Sequence, residues 1–244
     1  MLIATMPEVS FTTTTTITDV QAIFDRIAPV YDSMNHWLSL GQHHIWKAMT
    51  VKWSGCQAGD QALDVCCGSG DLTQQLGKRV GPQGQVFGLD FSTQQLAIAA
   101  QRNQALSRPL SIQWLQGNAL DLPFPDQTFD CVTMGYGLRN VPDIPAALTE
   151  LQRVLKVGKK VAILDFNHPS STCLKGFQSW YLDNIVVATA RYFQVTEEYA
   201  YIYPSLERFP SGSQQVQLAY QAGFSQAVHY AIAGGLMGVL VAQK

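Results

Sequence analysis

From Asp64 to Asp71 the chain reads Asp-Val-Cys-Cys-Gly-Ser-Gly-Asp, an apolar run that closes on two glycines, Gly68 and Gly70. Glycines there let the backbone turn tightly and let a ligand come close to the main chain. Asp90 ends a second apolar run, Gln85 to Asp90, twenty positions after Gly70. In an open α/β sheet, ligands bind beyond the carboxyl ends of the strands, and an acid at the end of the second strand accepts hydrogen bonds from ribose hydroxyls. A third apolar run is followed by Gly117-Asn118-Ala119, where a side-chain amide beside a small residue suits an adenine edge. Thr73 stands where a dinucleotide-binding loop would carry its third glycine. That substitution favours a nucleoside ligand without a pyrophosphate over a nicotinamide dinucleotide. Glycine turn, ribose acid and adenine amide together point to S-adenosyl-L-methionine (SAM). Its candidate contacts are Asp64, Gly68, Gly70, Asp90, Asn118 and Ala119. An NAD-binding oxidoreductase is the rival from another enzyme class.

These residues need a frame. Ala62–Cys67, Gln85–Asp90, Ile112–Leu115, Phe129–Met134 and Lys160–Phe166 read as strands. Helices are expected from about Asp71, over Thr93–Ser107 and over Ile144–Leu155. The alternation implies a doubly wound, mostly parallel sheet with helices on both faces, a Rossmann-like α/β fold. Ala227–Ala242, broken near Gly234-Gly235, is expected to add an antiparallel hairpin at the sheet edge. Residues 1–18, with the Thr12–Thr16 run, read as a flexible leader, and 19–244 as a single domain. Within that domain, 19–53 forms an aromatic-rich helical cap and 170–210 a helical insert over the mouth of the sheet.

Composition narrows the partners. Only 14% of the 244 residues are charged, 47% are hydrophobic, and the net charge is −2. That balance excludes a basic nucleic-acid footprint and fits a non-ionic, greasy substrate. Five cysteines without a Cys-x-x-Cys suggest neither a disulfide framework nor a zinc site. No metal is expected. The start lacks the basic region of a signal peptide, and the late apolar stretch, cut by Gly234, Gly235 and Gly238, is too short to span a bilayer. A cytoplasmic protein, peripheral to the membrane at most, is expected.

Longer motifs carry a resemblance. Phe24–Lys47 (FDRIAPVYDSMNHWLSLGQHHIWK), LDVCCGSGDLT, GNALDLPFPDQTFD, YGLRNVPD and Arg153–Pro169 (RVLKVGKKVAILDFNHP) follow one another in order. They resemble the ubiquinone/menaquinone biosynthesis C-methyltransferases, the UbiE/MenG family, over nearly all of residues 20–244. The Cys-Cys-Gly-Ser-Gly loop and the glycine-rich tail resemble most the cyanobacterial and plant branch, which methylates demethylphylloquinol. Departures are Val157 and Lys159 for a proline and a glycine, His44 for an arginine, and Asp165 and Asn167 for Glu and Ser. The resemblance implies a class I SAM-dependent methyltransferase that alkylates a ring carbon of a prenylated naphthoquinol. The alternative is a ubiquinone-pathway benzoquinol. The resemblance adds Thr73 to Asp90, Asn118 and Ala119 as cofactor contacts, and puts Tyr31, Arg139 and Asn140 near the substrate ring.

The chemistry sets the remaining demands. An oxidised quinone is electron-poor, whereas a quinol can lose a phenolic proton and push charge to the ortho carbon. That carbon attacks the sulfonium methyl, then loses its own proton to restore the ring. Arg139, always protonated, is the candidate phenolate stabiliser, although an ion pair with an acid such as Asp143 would also occupy it. Asn140 is the candidate to orient a phenolic oxygen or a water, or else a turn residue before Val141-Pro142. His43, with an ordinary pKa near 6.5, is the leading side-chain base. A water held by Arg139 and Asn140 is the alternative. Tyr31 could close over the methyl donor or simply pack.

Overall fold

The apolar runs become strands close to where the sequence places them. A computed structural model describes residues 25–28, 33, 36–169, 176, 180, 184, 185, 189 and 202–244. The strands are β1 (Gln61–Val65), β2 (Gln85–Asp90), β3 (Ile112–Gln116), β4 (Phe129–Gly135), β5 (Leu155–Phe166), β6 (Gln226–Ile232) and β7 (Met237–Gln243). The helices that position the site are α1 (His43–Trp53), α2 (Asp71–Val80), α3 (Thr93–Gln104), α4 (Ile144–Val154), α5 (Ile202–Arg208) and α6 (Gly212–Gln221). Tyr31, the leader and most of the 170–210 insert lie outside the described residues.

The sheet order is β3-β2-β1-β4-β5-β7-β6. β1 to β5 pair in parallel. The C-terminal hairpin closes the edge, with its antiparallel strand one place in. β7 runs against β5, and β6 runs against β7 as the outermost strand. The order turns at β1 and β4, so their carboxyl ends diverge into a crevice where ligands of such sheets sit.

Period-two alternation in β1 and β4 feeds a cluster on each face of the sheet. Ala62 and Cys131 pack with Val51 of α1 and with Leu72, Leu76 and Val80 of α2. Their neighbours Leu63, Val65, Val132 and Met134 turn the other way, onto Leu148 and Leu151 of α4 and Ala219 of α6. A fully buried leucine contributes about 1.5–3 kcal/mol, and Leu63→Ala would cost about 2–5 kcal/mol.

Two boundaries and one additional helix depart from the sequence pattern for identifiable reasons. β1 stops at Val65 because Cys66 takes a positive φ of 55°. β5 begins at Leu155, five residues early, because Leu155 pairs with Phe129 before the register shifts to Lys160 on Cys131. Helix α6 is additional. Its signal is Ser211-x-x-Gln214, a capping box in which the serine and glutamine satisfy each other's backbone donors.

Candidate active site

A cavity of about 440 Å³ opens at the carboxyl ends of β1, β2 and β4, a size suited to a small cofactor. Its floor is the turn after β1. Gly68 has φ +53°, and among the described residues a Cβ there would meet only Gln95 Oε1, at 3.9 Å. Two non-glycine residues on the rim, Cys66 and Tyr136, also have positive φ, 55° and 59°. Such strain gathers where a site must present its backbone in one orientation.

Asp90 ends β2 as expected and fixes this floor. Its Oδ2 accepts from Gly68 N at 2.8 Å and its Oδ1 from Ser92 N at 2.9 Å. Burial pushes its pKa up to about 6, against those backbone donors. Asn118 and Ala119 line the same cavity, and Asn118 Oδ1 accepts from Leu120 N at 3.0 Å, leaving the amide nitrogen as a donor.

Asp64, Thr73 and Gly70 form a layer beneath the cavity instead of lining it. Asp64 and Thr73 are fully buried. The Thr73 hydroxyl donates to Asp64 Oδ2 at 2.6 Å and the Thr133 hydroxyl to Oδ1 at 2.7 Å. Burial still raises Asp64 to about 6. Gly70 has φ +86° and caps α2, and a Cβ on it would lie 2.7 Å from the Trp114 ring. These three residues tie β1, α2, β3 and β4 together under the turn. Asp71 then anchors the surrounding helices, accepting from Lys47 of α1 at 2.7 Å and Arg102 of α3 at 2.9 Å.

Beyond β4, Asn140 reaches the cavity but Arg139 is not among its lining residues. The Arg139 Nη1 donates to Asp165 Oδ1 and to Tyr136 O, both at 2.8 Å, and the guanidinium lies 5.0 Å from the centre of the Phe166 ring. Its acid is thus Asp165, not Asp143, which caps α4 by accepting from Ala146 N. Asn140 Nδ2 donates to Tyr136 O at 3.0 Å. Its Oδ1 is buried with no hydrogen-bond donor among the described residues.

His43 departs most from its expectation. It is 3% exposed and outside the cavity lining. Its Nδ1 lies 2.7 Å from the Ser39 hydroxyl. Burial, together with Lys47 and His44, lowers its pKa to about 4. The value near 6.5 that recommended it as a base does not hold.

Sequence reasoning missed Gln95, Cys66, Gly117 and Tyr136, which line the cavity. Burial pushes the Cys66 thiol well above its ordinary range, so it is no nucleophile. Gln95 had a visible signal, since it follows Ser92 at capping-box spacing.

Comparison with known proteins decides what the cavity belongs to. Residues 12–244 match the model of the ubiE/COQ5 methyltransferase family. This chain belongs to that family. This methyltransferase is 62% identical over 235 residues to a Synechocystis protein named 2-phytyl-1,4-naphtoquinone methyltransferase, covering 96% of this chain and 99% of the relative. It is 51% identical over 224 residues to an Arabidopsis thaliana protein named 2-phytyl-1,4-beta-naphthoquinone methyltransferase, chloroplastic, covering 91% and 86%. A SAM-dependent methyltransferase of Aquifex aeolicus shares the fold, with a TM-score of 0.58 at 20% identity, covering 80% and 88%. The methyl donor of this methyltransferase is SAM. The chain fits that donor. It offers a glycine floor, a buried carboxylate and, in Gln95, a buried amide with no hydrogen-bond partner among the described residues. No helix among the described residues is long and apolar enough to cross a membrane.

Proposed function

We propose that this methyltransferase methylates a ring carbon of a prenylated 1,4-naphthoquinol, giving a phylloquinol or menaquinol. The observation that carries this reading is a match along nearly the whole chain to relatives named for 2-phytyl-1,4-naphthoquinone. The cavity supports it, because its wall is largely apolar, with Leu89, Phe91, Tyr136, Val141 and Pro142.

SAM supplies an electrophilic methyl group when bound. Asp90 and the Gly68 turn hold its ribose side, and Asn118 and Ala119 its adenine. Asp64, Thr73 and Gly70 act from below by fixing the turn. Asn140 offers its Oδ1 to the phenol or to a water that takes the phenolic proton. Arg139 acts through others. It holds Tyr136 O, to which Asn140 also donates, and so sets the direction of that oxygen. Alignment of this kind can supply several kcal/mol of the barrier.

The prenylated acceptor partitions into lipid, so we place a bilayer against the N-terminal cap. Trp37, Leu40 and Ile45 are exposed at 66%, 81% and 61%, a group of large apolar side chains of the kind that marks an interaction surface.

Competition tests the ring. Equal amounts of demethylated naphthoquinol and benzoquinol are offered with methyl-labelled SAM, and the label is expected in the naphthoquinol. Preferential labelling of the benzoquinol would overturn the substrate assignment.

A further inference from the structure

We infer that Gln95 is a cofactor-binding residue of the methyl-donor site, supplying its side-chain amide to the ribose diol of the cofactor. The inference rests on the SAM reading above and begins from a contrast within this chain. Two helices start with serine followed three residues later by glutamine, Ser92 to Gln95 on α3 and Ser211 to Gln214 on α6. This spacing makes a capping box, in which the glutamine side chain reaches back to the serine backbone N–H. Helix α6 does this, with Ser211 N donating to Gln214 Oε1 at 2.9 Å.

Helix α3 completes only half of it. Gln95 N donates to Ser92 Oγ at 3.2 Å, but Ser92 N donates to Asp90 Oδ1 at 2.9 Å. Asp90 has taken the bond that would have occupied Gln95. The Gln95 side chain lines the cavity instead. It is 99% buried, at 1% exposure, and neither Oε1 nor Nε2 has a hydrogen-bond partner among the described residues. Buried polar side chains are nearly always bonded, and an exception calls for a missing partner. The cavity offers the approach for that partner, because among the described residues only Gln95 Oε1 lies within 4 Å of a Cβ added to Gly68, at 3.9 Å.

The chemistry of the neighbours selects the partner. The ionised Asp90 carboxylate only accepts hydrogen bonds, so it can take hydroxyl protons but cannot serve hydroxyl lone pairs. A vicinal diol has both. Gln95 Nε2 supplies the donor that Asp90 lacks, and Oε1 a further acceptor. Carboxylate and amide together saturate a ribose diol at the end of β2. The same motif therefore serves as a helix cap in α6 and as a ligand clamp in α3.

Calorimetric titration with S-adenosylhomocysteine tests this, together with thermal unfolding of the cofactor-free protein. Gln95→Met keeps the length and removes the amide, and Gln95→Leu is the second variant. The expected result is a split. Affinity falls about tenfold, the worth of one or two hydrogen bonds, while the cofactor-free protein melts no lower than wild type, because an unbonded buried amide is gone. The affinity deficit should also shrink against the 2′-deoxy or 3′-deoxy analogue of S-adenosylhomocysteine. Unchanged affinity would overturn the inference, as would a deficit of equal size against both deoxy analogues. A fall in melting temperature in both variants in step with affinity would assign the amide to the protein and also overturn it. If wild type binds neither SAM nor S-adenosylhomocysteine, the cofactor reading fails and takes this inference with it. That result differs from wild type and variants binding equally well.

Discussion

Arg139 and Asp165 form a buried ion pair across the end of the sheet, Nη1 to Oδ1 at 2.8 Å, with both side chains under a tenth exposed. Asp165 also accepts from the Arg139 and Phe166 backbone amides, so the pair fixes the turn that carries Asn140. Removing one partner of such a pair leaves an uncompensated buried charge, at about 3–5 kcal/mol. Arg139→Ala is expected to lose that much stability in denaturant unfolding, and turnover with it. Full stability with lost turnover would return Arg139 to the substrate.

Asp64 gives a stability signature with a definite sign. Burial raises its folded pKa to about 6, against about 3.9 in the unfolded chain. The folded state therefore holds this proton more tightly. The contribution to stability is fully present below the unfolded pKa and is lost as pH rises through about 6, a change of about 3 kcal/mol. Asp64→Asn cannot ionise, and either threonine hydroxyl can turn to accept from its amide. Relative to wild type, the variant should gain stability between about pH 4 and pH 7. Parallel melting curves across that range would show that Asp64 is not perturbed.

His43 and Asn140 separate two proton routes. A histidine with a pKa of about 4 is neutral and only weakly basic at physiological pH. His43→Gln should keep turnover within about threefold, with the same pH–rate profile. Asn140→Leu should lower kcat by about 10- to 100-fold, because its buried Oδ1 is the group offered to the phenol or water, while SAM affinity stays near wild type. The reverse pattern would restore His43 as the base.

Much of this site was legible because its signals are local. The glycine turn after β1, Asp90 at the end of β2 and Asn118-Ala119 after β3 each follow from an apolar run and its punctuation. What the sequence concealed depends on competition between distant groups. Asp143 is nearer to Arg139 in sequence than Asp165, but it is committed to capping α4. The low pKa of His43 comes from burial and from Lys47 and His44 on the same helix, which composition cannot weigh. Asp64 and Thr73 satisfy each other beneath the floor, although their motif suggests direct contact with the ligand. Gln95 reads as an ordinary cap until Asp90 is seen to hold Ser92 N.

Membrane contact is expected to be apolar, because the net charge is −2. Trp37→Ser with Leu40→Ser should reduce co-sedimentation with neutral phosphatidylcholine vesicles several-fold. Added salt should change little, since screening acts on charge and not on apolar burial. Binding that needs anionic lipid and vanishes in salt would contradict this surface.

Methyl transfer from labelled SAM to 2-phytyl-1,4-naphthoquinone, offered once reduced and once oxidised under strictly non-reducing conditions, tests the central claim most directly. Only the quinol can send phenolate charge to the ring carbon. Label should therefore appear in the reduced acceptor and stay at background in the oxidised one. Equal labelling of the oxidised quinone, or none of either with SAM bound, would contradict a naphthoquinol C-methyltransferase.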